Sequence, residues 1–327
     1  MKKILALLTV LCLLASCLVA CDSGARYDDA KALIEEGKYE EAYAILADLG
    51  DYKDAKALLA RFYYVPVSGT FTEGDETLTV EFTYTEDNLP LRTVERLGGE
   101  VMYTADYTYD DNFDLVKIVY GGGEPGEYVY TYDDERRLIK EEHSYGDGEV
   151  YTDEYTYDED GNRIRSVYLY PGGSCITDYT YENGVLVRMV ETYEDGSVYT
   201  TDFVYDESGK LVREEFESQD GLSGTYTYIY DENGNMIEAR DIYSDGESAF
   251  YIYTYDEKGN MLTANVTYTD NFSYSYAYTY DENGNLTKQV YANPDGDTQI
   301  WEREYKLVFI PCGATEQIDR VIAMRLH

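Results

Sequence analysis

The chain predicts a mainly β protein: a long coiled antiparallel β-meander built of 23–25-residue hairpin repeats, preceded by a small α-helical segment. Three observations lead there. Tyrosines recur at 84, 109, 132, 157, 181, 205, 230, 255, 280 and 305, so a unit of 23 to 25 residues repeats along most of the 327-residue chain. From about Val65 the hydrophobic period is two, as in a strand with one face buried. Asn-Gly and Asp-Gly pairs then punctuate the strands and supply the positive φ that tight hairpins require.

The first element is a targeting segment. Residues 1–20 read as a signal peptide, with Lys2 and Lys3 ahead of the apolar run Ile4 to Leu14. Leu18-Val19-Ala20-Cys21 resembles the lipobox of bacterial lipoproteins, although Leu14-Ala15-Ser16-Cys17 also fits. Cys21 is preferred because polar Asp22-Ser23-Gly24 follow it, and 21–25 then form a lipidated tether. The resemblance implies acyl chains (palmitate among them) on Cys21 and a membrane anchor on the extracytoplasmic face of a bacterial cell. Stable anchoring takes more than one chain. An ordinary secretory signal with incidental cysteines is the plainer alternative.

Residues 26–64 predict a short helical segment. Ala30, Leu33 and Ile34, then Ala42, Ile45 and Leu46, then Ala55, Leu58 and Leu59 form three apolar stripes near 3.6-residue spacing, broken at Gly37 and Gly50. Gly37-x-Tyr39-x-x-Ala42 resembles the tetratricopeptide pattern over about one and a half units, fewer than the roughly three a solenoid needs.

Residues 65–310 predict the repeat sheet, and 311–327 a C-terminal tail. Each unit begins with an aromatic strand such as Tyr226-Thr227-Tyr228-Ile229-Tyr230. A "DENGN" turn, a second strand such as 236–243 and another Gly turn complete it. Ten such units imply about twenty strands at about 4.8 Å each. An open sheet that wide coils or splits and leaves two edges to be capped. Tyr155-Thr156-Tyr157-Asp158 with Gly161-Asn162, and Tyr228 to Asp231, Tyr253 to Asp256 and Tyr278 to Asp281 with their glycines, resemble the YD repeats of RHS-type proteins. The early units "YTYDDNFD" and "YTYDDERR" lack the Gly. In that family the repeats wind into a shell around a C-terminal toxic domain. Only about 20 residues follow the last unit here, too few for such a domain, so the resemblance implies a free-standing YD-repeat lipoprotein.

Composition narrows the function. With 26 Lys and Arg against 65 Asp and Glu, the formal net charge of −39 excludes nucleic acid as a partner. Of the two histidines, His143 reads as a solvated strand residue, and neither lies in a zinc or Ser-His-Asp setting. Gly121 to Gly126 satisfies G-x-G-x-x-G but precedes a strand, so it reads as a hairpin loop. Asp231, Asn233 and Asn235 match the start of a calcium loop, as do Asp281, Asn283 and Asn285. Gly falls at the fourth position of each, however, and no Glu stands at the twelfth. The expectation is therefore a non-enzyme without cofactor or metal. Cys175 and Cys312 are expected to stay unpaired, because distant repeats do not touch.

The 39 tyrosines leave two readings open: rings packed into the sheet, or an aromatic surface for a glycan or protein ligand. On the second reading Tyr228, Tyr230, Tyr253, Tyr255, Tyr278 and Tyr280 are the candidate binding residues. The resulting expectation is a lipid-anchored scaffold or binding protein recognising a glycan, a peptide or a surface protein. The alternative is a Ca-dependent adhesin or metal-dependent hydrolase using the acidic hairpin turns.

Overall fold

The computed structural model describes residues 23–123 and 125–310. The signal peptide, Cys21, Cys312 and the tail 311–327 lie outside the described residues. The chain divides into two compact units. One takes in the helical segment to Val67, Thr83–Pro90 and the chain from Tyr305; the other comprises Ser68–Phe82 and Leu91–Glu304.

The first unit holds three helices: α1 (23–35), α2 (Tyr39–Leu49) and α3 (Ala55–Leu59). The apolar stripes meet as the sequence predicts. Tyr27, Ala30, Leu46 and Ala55 form the buried centre, with Ile34, Ile45, Leu58, Leu59 and Phe62 packed around it. Phe62 then joins Phe309, their ring centroids 4.9 Å apart. Arg61 Nε donates to the Ile310 carbonyl at 2.8 Å, and Asn88 Nδ2 to the Phe309 carbonyl at 3.0 Å. Helix and strand ends are thus fastened by aromatic packing and by donors aimed at backbone carbonyls.

The strands number twenty, from β1 (Phe62–Glu73) to β20 (Thr298–Phe309) in chain order. Each pairs with its chain neighbours, and β1 also pairs with β20. The sheet is therefore closed, which corrects the expectation of an open, coiled meander with two edges. Within the second unit the closure shows in side chains. The Phe71 ring lies 4.4 Å from the Trp301 ring, Ser68 Oγ donates to Glu304 Oε2 at 3.0 Å, and Gln299 Nε2 donates to Glu73 Oε1 at 2.9 Å. An open sheet would leave two rows of unsatisfied N–H and C=O groups; closure pairs both.

The turns explain the repeat. In β14 (Ser223–Tyr230) to β15 (Met236–Tyr243), the Asp231 N–H donates to the Asn235 carbonyl at 2.9 Å and the Gly234 N–H to the Asp231 carbonyl at 3.1 Å. Gly234 has φ +93°, while Asn233 stays out of the left-handed region. This is a three-residue loop, a type I turn closed by a left-handed glycine and its bulge, and not the two-residue form that Asn-Gly suggests. The register shifts at Tyr230, as it does at Tyr255 and Tyr280. In the early units that lack Gly, Phe113 and Arg136 occupy the left-handed position, at φ 66° and 64°.

Candidate functional site

Alternation along each strand gives the sheet two faces with different chemistry. One carries the tyrosines together with buried small and apolar residues such as Ala105, Ile118, Thr201, Ala239, Ala264 and Val266. The other carries exposed aliphatics, among them Ile229, Ile242 and Ile252, interleaved with cross-strand ion pairs. Arg165 grips Asp178 at 2.6 and 2.9 Å, Arg188 grips Asp202 at 2.6 and 2.8 Å, and Lys288 meets Glu302 at 2.8 Å. The aromatic face is the concave one. Phe216 of β13 (Leu211–Ser218) and Tyr243 of β15 bring their ring centroids to 5.8 Å, although strands two apart are separated by about 9.6 Å. They meet above Gly224, where a Cβ would collide with the Phe216 ring.

The six sequence-predicted tyrosines all lie on this face, but they divide by role. The second tyrosine of each pair is a strut. Tyr230 donates to the Leu211 carbonyl at 2.8 Å, Tyr255 to the Met236 carbonyl at 2.7 Å and Tyr280 to the Met261 carbonyl at 2.9 Å. Tyr132, Tyr157, Tyr181 and Tyr205 repeat the contact. The first tyrosine of each pair points to its surroundings. Tyr228 donates to Glu214 Oε1 at 2.7 Å, Tyr278 lies stacked 6.2 Å from Tyr276, and burial raises the pKa of Tyr253 and Tyr278. Small residues separate these tyrosines: Tyr228 sits opposite Ala239, and Tyr253 opposite Ala264.

The acidic turns are occupied by their own backbone. Asp281 Oδ1 accepts the N–H groups of Asn283 and Asn285, both at 2.9 Å, and its Oδ2 accepts Asn285 Nδ2 at 2.8 Å. Asp231, Asp256 and Asp158 repeat the pattern, so the fifth turn residue holds the carboxylate with its side chain. Among the described residues no group of three or more His, Cys, Asp or Glu is placed to hold a metal ion. Cys175 is a buried free thiol. Gly121 to Gly126 falls at the hairpin from β5 (Leu115–Gly122) to β6 (Gly126–Tyr132).

Two constellations on the aromatic face escaped the sequence. The first runs from β4 (Glu100–Tyr109) to β9 (Arg163–Tyr170) as an unbroken series of rings. Tyr103 meets Tyr120 at 5.4 Å, and Tyr120 meets Tyr128 at 5.5 Å. Tyr128 stacks on His143 at 3.8 Å, and His143 lies 3.9 Å from Tyr145. The series continues through Tyr151 and Tyr168 to Tyr170. His143 is therefore not the solvated residue the sequence suggests: it is clamped between rings, and burial lowers its pKa. Burial lifts Tyr128 to about 12. It also raises the carboxyl of Asp153 on the same face, with Arg163 acting against that rise. A cleft of about 590 Å³ lined by Pro125, Tyr145, Glu149 and Tyr151 opens beside the middle of the series.

The second constellation lies across β13, β14, β15 and β16 (Ser248–Tyr255). Glu214, Tyr226 and Asp241 stand in one cross-strand row. Phe216, Tyr226 and Tyr243 form a triangle of rings 5.7 to 6.1 Å apart, and Tyr251 donates to Asp241 Oδ2 at 2.8 Å. Burial raises the Asp241 carboxyl, opposed by the Tyr251 hydrogen bond, and it raises Tyr226, Tyr228 and Tyr251. The signal for this site was parity. Asp241 stands two residues before Tyr243 and Glu214 two before Phe216, so both acids share the aromatic face. A larger cleft of about 980 Å³ is lined mainly by residues of the opposite face, including the paired Arg188 and Asp202.

No family model matches this chain, and no curated protein matches it. Among solved structures it is similar to TcdB2-TccC3-TEV, with 16% identity and a TM-score of 0.28, over 68% of this chain and 15% of that one. The chain thus spans well under a quarter of that structure's length. It is also similar to a porin-like protein from Bacteroides uniformis, with 11% identity and a TM-score of 0.35 over 74% of this chain and 98% of that one. A porin-like protein from Bacteroides vulgatus follows, at 9% identity and a TM-score of 0.32.

Proposed function

We propose that this chain is a non-catalytic, lipid-anchored extracytoplasmic binding protein whose concave aromatic face takes a glycan. The observation that carries the reading is the ring series from Tyr103 to Tyr170. Tyrosine faces stack on the apolar faces of sugars while their hydroxyls and neighbouring acids such as Asp153 accept or donate hydrogen bonds. Tyr145, which lines the cleft, and Tyr168 are 39% and 37% exposed, which leaves ring surface for a ligand.

The opposite face supports a location in water, with the anchor as the membrane contact. Arg165, Arg188 and Lys288 with their acidic partners sit within strands on that face. At a bilayer midplane each Arg or Lys would cost about 2–4 kcal/mol. The acidic turns give the calcium reading no support, since their carboxylate oxygens already accept hydrogen bonds from their own loops.

Two measurements test the proposal. On a glycan array the mature chain retains a subset of glycans, and Tyr128→Ala or Tyr151→Ala abolishes retention while the strut variant Tyr230→Phe keeps it. No retained glycan, or equal loss in all three variants, would overturn the binding reading. In fractionated cells the chain sediments with membranes and Cys21→Ala releases it; a membrane location kept by Cys21→Ala would remove the anchor.

A further inference from the structure

The second constellation points to a different ligand on different strands. We propose that the row Glu214–Tyr226–Asp241, walled by the rings of Phe216, Tyr243 and Tyr251, is a binding site for an aliphatic ammonium compound, a short diamine. The charge pattern is the first ground. On the outward face of the same strands, Glu215 has Arg213 at 3.2 Å and Glu238 has Arg240 at 2.5 Å. Glu214 and Asp241 have no basic side chain within ion-pair distance among the described residues. Each instead has one oxygen held by a tyrosine hydroxyl, from Tyr228 at 2.7 Å and from Tyr251 at 2.8 Å, which leaves the second oxygen to accept from a ligand.

The rings are the second ground. A carboxylate half-buried among aromatic groups lacks full hydration, and an organic cation answers both features at once. Its ammonium pairs with the carboxylate, while its methylenes and positive charge lie against ring faces. Tyr226 supplies a ring midway between the two acids, and Ala239 and Ala249 keep the floor beside it low. The acids stand on β13 and β15, about 9.6 Å apart at the backbone. Among the described residues they join no group of three or more side chains placed to hold a metal ion, and the Tyr226 ring stands between them. Two acids flanking one ring suit two ammonium groups joined by a few methylenes. The Tyr226 and Tyr243 hydroxyls, 3.3 Å apart, add acceptors on one side.

The test is calorimetric titration of the mature full chain with 1,4-diaminobutane, at about 150 mM NaCl to screen the general attraction of an acidic protein for cations. Saturable one-to-one binding is expected, weakened roughly tenfold or more by Glu214→Gln and by Asp241→Asn. Glu215→Gln removes the same charge one residue away on the other face and is expected to leave binding within about twofold. A parallel titration with N-acetyl-lysinamide identifies the source of the ammonium. Binding as tight as the diamine's marks a lysine side chain, and much weaker binding marks a free diamine. Heat that never saturates, or equal weakening by Glu215→Gln, overturns the site. Far-UV circular dichroism confirms that each isosteric variant keeps its strands. The glycan reading stands or falls separately, because its rings lie on β4 to β9.

Discussion

Tyr255 reaches back nineteen residues and donates its hydroxyl to the carbonyl oxygen of Met236 at 2.7 Å. Met236 is the first residue of the strand after the preceding turn, and Tyr255 the last residue before the next. The bond therefore ties one hairpin turn to its successor. Tyr255→Phe deletes it with almost no change of shape, and a loss of about 1 kcal/mol in urea denaturation is expected. Tyr253→Phe, two residues away on the same face, is expected to cost less than half as much. Equal losses would remove the distinction between strut and surface tyrosines.

The turn carboxylates set the acid limb of stability. Hydrogen bonds from the side chains of Asn162, Asn235 and Asn260 hold Asp158, Asp231 and Asp256 below the usual carboxylate range. A depressed folded-state pKa contributes stability that is present above the unfolded value of about 3.9 and is lost as pH falls through the folded value. Melting temperature is expected to hold from neutral pH down to about pH 4 and then to drop. Asp256→Asn is expected to blunt that drop.

Asp241 runs the other way. Burial raises its carboxyl, so its ionised form opposes folding at neutral pH and the penalty is relieved as pH falls through its folded value. Asp241→Asn is expected to melt higher than the parent at pH 7, with the gap closing in acid. A variant that is more stable and binds diamine less tightly is the signature of a residue kept for its ligand.

Phe113 and Arg136 hold the same left-handed position, yet the same substitution is expected to act oppositely on them. Phe113→Gly relieves a conformation costing about 1 kcal/mol and is expected to stabilise by somewhat less, after the glycine's added chain entropy. Arg136 also grips Asp114, a buried carboxylate, at 2.6 and 2.8 Å. Arg136→Gly is expected to destabilise by roughly 2 kcal/mol, a value reduced from a fully buried pair because the arginine is half exposed. Chemical denaturation of both variants checks the pair of signs.

Millimolar Ca²⁺ or EDTA is expected to leave the melting temperature unchanged within about 1 °C, since a cation would have to displace the hydrogen bonds on Asp231, Asp256 and Asp281. A clear rise with Ca²⁺ would reopen the metal reading.

Local features were legible in the sequence. The 25-residue spacing of Tyr230, Tyr255 and Tyr280 announced the hairpins, and Gly234 and Gly284 marked where each turns. The stripes of Ala30, Leu46 and Ala55 foretold the helical core. Closure was not legible, because it depends on β1 meeting β20 some 230 residues later, and no local pattern encodes so distant a register. The strut role of Tyr255 was hidden for a related reason: its acceptor is a backbone carbonyl, which every residue has. Asp241 and Glu214 lay in plain view by parity, but among 65 acids their place on either side of Tyr226 emerges only once the strands pair.

Ring closure also governs how such a chain can change length. A closed sheet in which every neighbour is antiparallel needs an even number of strands, since an odd number forces one parallel seam. Each unit here contributes two strands, so losing or duplicating a whole unit preserves that evenness and every existing turn. Insertion of a single strand would instead break the seam between Phe71 and Trp301. The circumference of the ring, and with it the width of its aromatic face, can therefore grow or shrink only in steps of one hairpin pair.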